Sequence, residues 1–450
     1  DELSPDALYE VARALDREPD LDLVYSDEDK LDENGRRFEG RFKPDWSPEL
    51  LLSQMYIGHL GVYRRSIVEE IRGFRKGYEG SQDHDLALRF TERTRRVRRI
   101  PRVLYHWRVS ATSAASGHGA KPYAIDAARR ALEDALERRG QQGFVEALAA
   151  HPGHYTVHCA ADPMQKVSIV IPTRDGAALL ERCLSSLVEL TKHPNWEVCV
   201  VDNGSRESAT LELFSRWKGR LGESRFKLVR RDEPFNFSRL INAGAQATDG
   251  QLLLLLNNDT EIIDGGWLDA LAGYARQPEI GAVGCRLLYP DGVLQHAGIA
   301  LDPRFIAVHA QQFLPADHPG YFGQFVSAVN FSAVTGACLM VRREVFQAVG
   351  GLDEQLAVAY NDVDFCLRVQ ALGLRNVVLG HVRLVHHESR TRGYDTSPEK
   401  RRRLEAEGAI LRDRWGGLLL DDPATNPNLN PVDYSLRIER TRGSTPGRSP

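Results

Sequence analysis

Within its 450 residues the chain has no apolar run that approaches the ~20 residues a membrane-spanning helix needs. Residues 1–10 are acidic and lack the basic and apolar regions of a signal peptide. The 58 Lys and Arg residues against 62 Asp and Glu residues leave a net charge of −4, so no basic field indicates a nucleic-acid partner. A globular protein is predicted, and peripheral association with the inner face of a cell membrane stays open.

Cysteine is also scarce. The six cysteines are scattered without a CxxC pair, at positions 159, 183, 199, 285, 338 and 366. Buried reduced thiols in a cytoplasmic protein are the simplest interpretation. Three histidines lie within eight residues of the first cysteine, at His151, His154 and His158. No second group of ligands accompanies them, so an extended linker is preferred over a zinc site.

One stretch stands out among the residues that are present. Residues 251–261, QLLLLLNNDTE, place five leucines directly before Asn257, Asn258 and Asp259. An apolar run this short, ended by polar residues, predicts a strand buried on both faces of a mostly parallel sheet. Ligands of such sheets bind just beyond the carboxyl ends of the strands, where Asp259 can hold a divalent cation. A simple turn would show the same residues, because Asn and Asp favour turns.

From residue 167 onward, apolar strands alternate with amphipathic helices, and the leucine strand is the fourth strand of the series. This spacing predicts an α/β fold with a mostly parallel sheet and helices on both faces. Thr173 and Asp175 follow the first strand and Asp202 ends the second. We expect these residues at the same edge of the sheet as Asp259. Their convergence favours a ligand site over a simple turn.

The chain also contains an internal repeat. Three segments recur 278 to 280 residues later in the same order, and the matching pairs are 62–65 with 340–343, 83–86 with 362–365, and 104–108 with 384–388. The leading residues therefore look like the second half of the fold that follows them. The predicted regions are a partial module at 1–115, a helical linker at 116–165, a complete domain at 166–415 and a loosely docked C-terminal tail at 416–450.

Five motifs occur in a fixed order: SIVIPTRDG at 168–176, VVDNGS at 200–205, NNDTE at 257–261, YNDVDFCLR at 360–368 and VHHESRTRG at 385–393. Together they resemble the landmarks of glycosyltransferase family 2, in full from residue 167 to about residue 393 and in part before residue 115. The resemblance implies a GT-A fold, which is a Rossmann-like α/β fold, preceded by a partial second copy. Within the family, the chain most resembles bacterial enzymes that build O-antigen or other surface polysaccharides, often with tandem domains.

The resemblance implies a nucleotide site at the first strand ends. Asp202 resembles the acidic residue that recognises the nucleotide base, with Thr173 and Asp175 as its neighbours. Arg239, on the helix before the leucine strand, resembles the basic residue that helps to hold the nucleotide. A nucleoside-diphosphate sugar is therefore the expected donor substrate.

The resemblance also implies a metal site. Asn257, Asn258 and Asp259 stand in the place of an Asp-x-Asp motif, whose last Asp binds Mg²⁺ or Mn²⁺ on the diphosphate. Asn257 departs from this motif, which leaves Asp259 as the main carboxylate for the ion. His386 resembles the histidine that completes the coordination in many members. An orienting role for His386 is the alternative, and the adjacent His387 competes for the assignment.

Asp362 is the expected general base. It stands at the second position of the x-Asp-x-Asp stretch and at the start of a predicted helix, whose dipole keeps a carboxylate ionised. Asp364 is the competing candidate, and a helix cap is the alternative role for Asp362. The expected reaction is a single displacement with inversion at the anomeric carbon. The expected acceptor is a hydroxyl group of a saccharide or a lipid-linked saccharide.

The leading module keeps the acceptor-side residues Asp83 and His106 but lacks a metal strand, and Asp1 aligns with Thr260. The acidic run at 27–29 matches the Asp-x-Asp pattern but is not expected to be the metal site of this module. Residues 1–115 are therefore expected not to turn over substrate alone. The chain is expected to be a fragment of a longer protein.

Two other functions fit part of the pattern. A non-catalytic protein that binds nucleotide sugars or carbohydrates would tolerate the weakened metal motif at Asn257. A nucleotidyltransferase uses a similar sheet and a metal carboxylate, but the Gly-rich signature expected after its first strand is absent from this sequence. A dinucleotide-binding oxidoreductase is disfavoured, because residues 173–178 lack the GxGxxG turn.

Overall fold

The computed structural model describes residues 1–109, 122–387 and 397–437. Over these residues the two larger sheets have five strands near the N-terminus and ten strands in the remainder. No helix in the described ranges is both long and apolar enough to cross a membrane.

The smaller sheet belongs to an N-terminal module. Its strands are β1 Glu2–Leu3, β2 Leu23–Leu31, β3 Arg37–Arg41, β4 Gly61–Tyr63 and β5 Val97–Arg108, and its helices are α1 Ala7–Arg17, α2 Pro48–Leu51, α3 Arg65–Glu70 and α4 Gln82–Thr91. β5 pairs with β2 in parallel and with β1 in antiparallel orientation. Glu2 lies opposite His106, as Thr260 lies opposite His386 in the larger sheet. By this register Glu2, rather than Asp1, takes the position of Thr260, a shift of one residue from the predicted alignment.

The linker is helical only in its first part. Helix α5, Pro122–Arg138, is followed by an antiparallel hairpin of β6, Gly143–Ala147, and β7, Tyr155–Cys159. The segment predicted as an extended link thus forms one arm of a hairpin. α5 buries an apolar face that includes Ala131 and Leu132 and packs on α4. The predicted boundary at 115/116 lies outside the described residues.

The larger sheet begins with the alternation predicted from the sequence. Its first elements are β8 Val167–Thr173, α6 Ala177–Leu190, β9 Trp196–Asp202, α7 Ser208–Leu221, β10 Phe226–Arg230, α8 Phe237–Gln246 and β11 Leu252–Leu256. The four strands are parallel, in the order β10-β9-β8-β11. Every residue of β8, β9 and β11 is buried, which explains why their sequences are nearly continuous apolar runs. The predicted buried leucine strand is confirmed.

The rest of the chain completes this sheet with less regular connections. The elements that follow are β12 Thr260–Ile262, α9 Trp267–Ala275, β13 Ile280–Leu288, β14 Leu294–His296, β15 Ile299–Asp302, β16 Ile306–His309, β17 Ala328–Asn330, β18 Cys338–Arg342, α10 Arg343–Ala348, α11 Asn361–Ala371, β19 Arg375–His386 and α12 Pro398–Leu420. β18 runs antiparallel between β11 and β13, and β13 pairs with β19 in parallel. The main path is β10-β9-β8-β11-β18-β13-β19-β12, in which only β18 and β12 oppose the common direction. The predicted α/β class with a mostly parallel sheet is confirmed.

Strand β11 is covered on both faces. Leu253 and Leu255 belong to a core that extends into the N-terminal module. Leu252, Leu254 and Leu256 belong to the core on the other face, which includes side chains of α6 and α9. Full burial of each leucine stabilises the fold by about 1.5–3 kcal/mol. The polar residues that follow the strand therefore start from a firmly held backbone.

The C-terminal region is packed, which corrects the prediction of a loosely docked tail from residue 416. α12, Pro398–Leu420, continues past the predicted domain end at 415. Beyond it, Asp422 is buried and accepts a hydrogen bond from the Ser332 hydroxyl. Asn426 reaches the N-terminal module and donates to both carboxylate oxygens of Asp27, each at 3.0 Å. Buried side-chain hydrogen bonds hold this Pro- and Asn-rich segment together with apolar contacts, since Leu429 is buried and Tyr434 packs against the core. Residues 438–450 lie outside the described residues.

Candidate active site

The carboxyl ends of β8 and β11 are joined by a side-chain hydrogen bond. Asn258 Nδ2 donates to Oγ1 of Thr173 across 2.9 Å. The two strands are parallel neighbours, so their ends meet at one edge of the sheet. The structure thus brings Thr173, predicted for the nucleotide site, together with Asn258 of the predicted metal motif.

Asp202 ends β9 directly beside Thr173 and is 1% exposed. The N–H of Ser205 donates to its Oδ1 at 2.8 Å, and Arg230 Nη1 donates to its Oδ2 at 3.0 Å. Arg230 lies opposite Asp202 at the end of β10. Sequence reasoning missed Arg230, although its place at the end of the third predicted strand was a usable signal. The two contacts fix the orientation of the Asp202 carboxylate.

Asp175 binds the neighbouring loop. Its Oδ1 accepts hydrogen bonds from the N–H groups of Glu207, at 3.0 Å, and Arg206, at 2.8 Å. These backbone donors lower the pKa of the Asp175 carboxyl below its ordinary value. The contacts tie the loop after β8 to the loop after β9. Asp175 therefore shapes the edge on which Thr173 and Asp202 lie.

Asp259 and His386 face each other near the paired strands β12 and β19. His386 Nε2 lies 3.0 Å from Asp259 Oδ1 and 3.2 Å from Asn257 Nδ2. Both members of the pair are 6% exposed. The ring of His387 points to a different partner, with its Nε2 2.8 Å from Glu261 Oε2. The geometry favours His386 over His387 as the partner of Asp259.

Gln295 contacts the opposite side of the His386 ring. Its Oε1 lies 2.6 Å from His386 Nδ1, as an acceptor for the Nδ1–H, and the Gln295 side chain is buried. A proton on Nδ1 leaves the lone pair of Nε2 directed toward Asp259. Sequence reasoning missed Gln295, which lies on β14, 91 residues before His386 in a segment without a regular pattern.

The Asp259–His386 pair fits a divalent cation in its donor atoms and in their spacing. Carboxylate oxygens and imidazole nitrogens both bind such ions. Two ligand atoms at a right angle on bonds of about 2.1 Å lie about 3.0 Å apart, which is the separation found here. Across the described ranges, no group of three or more His, Cys, Asp and Glu side chains is arranged to hold a metal ion. The pair would therefore share an ion with ligands from outside the protein.

Asp362 lies half-buried in the first turn of α11. Its Oδ2 accepts a hydrogen bond from the N–H of Gly336 at 2.8 Å, and its Oδ1 accepts one from the N–H of Val363 at 2.9 Å. The residue after Gly336 contacts the leucine strand, because the Asn257 N–H donates to the Ala337 carbonyl at 3.0 Å. One loop therefore connects the candidate base to the strand that carries Asp259.

Asp364, the competing base, is fully buried. Its Oδ2 accepts a hydrogen bond from Arg368 Nε at 2.7 Å. Its Oδ1 accepts hydrogen bonds from Trp415 Nε1 at 3.0 Å and Arg414 Nη1 at 3.2 Å. A carboxylate enclosed by these donors cannot reach a substrate hydroxyl, so its role is to hold α11 against α12. The geometry favours Asp362 as the base.

Arg239 lies at the start of α8 among acidic side chains. Its Nε and Nη1 donate to Glu354 Oε2 and Glu233 Oε2, each at 3.1 Å. These carboxylates raise the pKa of the Arg239 guanidinium above its ordinary value. The arginine that contacts Asp202 is Arg230, so Arg239 is not the immediate neighbour of the base-recognition residue.

Residues 168–350 match the model of the family described as "Glycosyl transferase family 2". The chain carries a family 2 glycosyltransferase domain. The predicted GT-A fold of this domain is confirmed by the family match together with the α/β sheet order. The matched residues include Thr173, Asp202, Asp259 and Gly336, whereas Asp362 lies beyond them.

Two longer relatives align with most of this chain. The protein y4gI of Sinorhizobium fredii is 43% identical over 432 residues, which are 95% of this chain and 47% of the relative. The O-antigen biosynthesis protein RfbC of Myxococcus xanthus is 41% identical over 400 residues, which are 89% of this chain and 31% of the relative. The chain spans less than half the length of either relative.

More distant proteins also match part of the chain. The N-acetylglucosaminyl-diphospho-decaprenol L-rhamnosyltransferase of Mycobacterium tuberculosis is 24% identical over 279 residues, 55% of this chain and 85% of that protein. Among solved structures, GalNAc-T7 with UDP, GalNAc and Mn²⁺ matches with a TM-score of 0.47 and 16% identity, over 60% of this chain and 50% of that chain. This structural likeness is too low to bear on function.

Proposed function

We propose that the family 2 domain is an inverting glycosyltransferase that moves a sugar from a nucleoside-diphosphate sugar to a hydroxyl of a saccharide or lipid-linked saccharide. The observation that carries the proposal is the 3.0 Å approach of Asp259 Oδ1 to His386 Nε2, beyond the strand ends that carry Thr173 and Asp202. The name of the Myxococcus xanthus relative supports a place in the synthesis of O-antigen or related bacterial surface polysaccharides.

The donor nucleotide would lie against the ends of β8 and β9. Asp202, oriented by Arg230 and by the Ser205 N–H, would accept hydrogen bonds from the base. The bond from Asn258 to Thr173 keeps the adjacent strand ends in place. Arg239 would help to bind the phosphate groups of the donor by releasing one of its two glutamate partners.

Asp259 and His386 would hold Mg²⁺ or Mn²⁺. When bound, such an ion offsets the negative charge that develops on the departing diphosphate. Asn257 directs a neutral amide group at His386, so Asp259 is the carboxylate that this strand end contributes. The diphosphate and water would supply the remaining ligands.

Asp362 would act as the general base. Its carboxylate would take the proton of the acceptor hydroxyl while the hydroxyl oxygen bonds to the anomeric carbon and the bond from that carbon to the diphosphate breaks. Attack from the face opposite the leaving group inverts the configuration. The hydrogen bond from the Gly336 N–H holds the carboxylate of the base in place at the start of α11.

We also propose that the N-terminal module, residues 1–115, is a partial copy of the acceptor half of this fold and does not turn over substrate alone. Corresponding ion pairs support the repeat. Arg89 donates to Asp85 in the module, and Arg368 donates to Asp364 in the domain. Each arginine also donates to two backbone carbonyls, at residues 71 and 73 in the module and at 349 and 351 in the domain. Matching partners at matching offsets favour duplication over chance.

Turnover of nucleotide sugars tests the proposal. The chain would be incubated with Mn²⁺, saccharide acceptors and a panel of UDP-, dTDP- and GDP-sugars, and the released nucleotide and the product linkage would be measured. We expect nucleoside diphosphate release with one or more donors, an inverted linkage, and no release by Asp259→Ala. Binding without release would identify a non-catalytic binding protein. Release of pyrophosphate would identify a nucleotidyltransferase. Either result, or no activity with any donor, overturns the proposal.

A further inference from the structure

A crevice of about 1140 Å³ lies where the N-terminal module, the linker and the family 2 domain meet. Residues 91–95, 138–142, 273–279 and 373–375 form much of its wall. The last two segments lie at the starts of β13 and β19, so the crevice borders the amino edge of the larger sheet. The proposed active site follows the carboxyl ends of its strands. The crevice is therefore a separate site.

Positive charge dominates this crevice, which we call the arginine crevice. Six arginines and three glutamates line it, an excess of three positive charges. Each glutamate already forms a salt bridge with an arginine of the crevice. The pairs are Glu49 with Arg375 at 2.8 Å, Glu92 with Arg138 at 2.7 Å, and Glu279 with Arg95. Arg93 pairs with Glu70 outside the crevice at 3.4 Å, so the uncompensated charge lies on Arg139 and Arg276.

Arg139 and Arg276 lack a close carboxylate partner. The side chain of Arg139 is 25% exposed, and its contact with Glu92 Oε1 is 3.6 Å long. Glu92 already accepts two hydrogen bonds from Arg138. Burial lowers the pKa of Arg139, as expected for a guanidinium with too little compensating charge. Arg276 donates to the Ala160 carbonyl at 3.3 Å and forms no ion pair with any described residue.

Gln141 joins the two segments that carry these arginines and adds an acceptor. Its Nε2 donates to Gln277 Oε1 at 2.6 Å, which joins the segment after Arg139 to the residue after Arg276. Gln141 Oε1 is buried, and no described residue donates a hydrogen bond to it. A buried acceptor of this kind is normally satisfied by a donor such as a hydroxyl group.

We propose that the arginine crevice binds a phosphate-bearing molecule that also carries hydroxyl groups, such as a nucleotide or a sugar phosphate. Arg139 and Arg276 contact the phosphate oxygens, because guanidinium groups bind phosphate through charge-assisted hydrogen bonds. Gln141 Oε1 accepts a hydrogen bond from a ligand hydroxyl. The volume of about 1140 Å³ is sufficient, since small-molecule sites occupy about 300–1,000 Å³.

Calorimetric titration of the full chain with pyrophosphate tests the phosphate site. The Asp259→Ala chain in EDTA is used, so that binding at the proposed active site does not contribute. We expect binding that weakens with salt and weakens about tenfold or more in Arg139→Gln and in Arg276→Gln. Arg216→Gln removes an arginine from the surface of α7, where Arg216 pairs with Glu181, and serves as the matched control. No binding by the parent chain, or binding by both crevice variants that is as tight as that of the parent chain, overturns the proposal.

Competition distinguishes the two sources of phosphate. UDP and glucose 1-phosphate are each titrated against bound pyrophosphate, and displacement by one of them identifies the nucleotide or the sugar phosphate as the better ligand. Gln141→Leu should weaken the hydroxyl-bearing ligand severalfold and leave pyrophosphate binding unchanged. Failure of both molecules to compete, or an equal loss of all three affinities in Gln141→Leu, overturns the hydroxyl part of the proposal.

Discussion

The N–H of Gly336 donates a hydrogen bond to Oδ2 of Asp362 across 2.8 Å. The next residue, Ala337, accepts a hydrogen bond from the N–H of Asn257 at the end of the leucine strand. The proposed base and the proposed metal strand are therefore positioned by the same short loop.

Replacing Asp362 by Asn should separate catalysis from binding. The amide introduced by Asp362→Asn keeps an oxygen that can accept the Gly336 hydrogen bond, but it cannot take a proton. We expect transfer to fall by about 10²–10⁴-fold with donor affinity unchanged. Initial rates and calorimetric donor binding check this. A variant that loses donor affinity would show that Asp362 acts in binding.

Replacing Asp364 by Ala should have a different effect, because Asp364 is the buried partner of Arg368 and Arg414. Removing one member of a buried ionic cluster costs about 3–5 kcal/mol of unfolding free energy. Urea denaturation of Asp364→Ala and Asp362→Asn should show the large loss in the first variant alone. A stable Asp364→Ala chain that binds donor but does not transfer sugar would move the base role to Asp364.

Gln295 should control metal affinity through His386. In Gln295→Leu the acceptor for the His386 Nδ1–H is lost, and we expect Mn²⁺ binding to weaken about 10–100-fold. In Gln295→Glu an acceptor remains, so affinity should stay near that of the parent chain. Gln312→Leu, which removes a hydrogen bond to Tyr289, is the control. Electron paramagnetic resonance of free Mn²⁺ measures all three variants, and equal affinity in every one would exclude the orienting role.

The parallel half of the fold could be predicted from sequence because its signals are local. Strands that are buried on both faces have continuous apolar sequences, and the five leucines before Asn257 form such a strand. The ends of such strands then place Thr173, Asp202 and Asp259 along one edge by geometry alone. A histidine as the partner of Asp259 followed from the family resemblance, and the structure places His386 there.

The contacts that were missed are pairings between distant segments. Gln295 meets His386 only because β14 returns to the sheet beside β13, and no local pattern encodes that return. The family resemblance assigns Arg239 to the nucleotide, whereas its partner Glu354 is brought to it by a loop more than a hundred residues later in the sequence. The C-terminal segment was expected to be loose because polar composition hides buried hydrogen bonds such as that from Asn426 to Asp27.

Asp27 gives the N-terminal module a distinct dependence of stability on pH. Its carboxyl group is fully buried, and burial raises its pKa from 3.8 to about 6 despite hydrogen bonds from the Lys43 N–H and Asn426. Burial also opposes ionisation of Glu28, but hydrogen bonds from His59 and the charge of Lys43 outweigh it and lower the Glu28 pKa to about 2. Above pH 4.5, Glu28 is therefore mostly ionised in the folded chain and in the unfolded chain alike.

The stability that a protonated Asp27 contributes is present below pH 4 and is lost as pH rises through 6, because its folded pKa exceeds its unfolded pKa. Full loss amounts to at most about 3 kcal/mol. Burial also lowers the pKa of His84 and of His154, and these shifts add their own pH dependence, so the informative quantity is a difference between two chains. In urea unfolding between pH 4.5 and 7, the unfolding free energy of the parent chain should fall relative to that of Asp27→Asn as pH rises, since only the parent chain loses this contribution. A constant difference between the two chains would mean that Asp27 is ionised in the folded protein throughout this range.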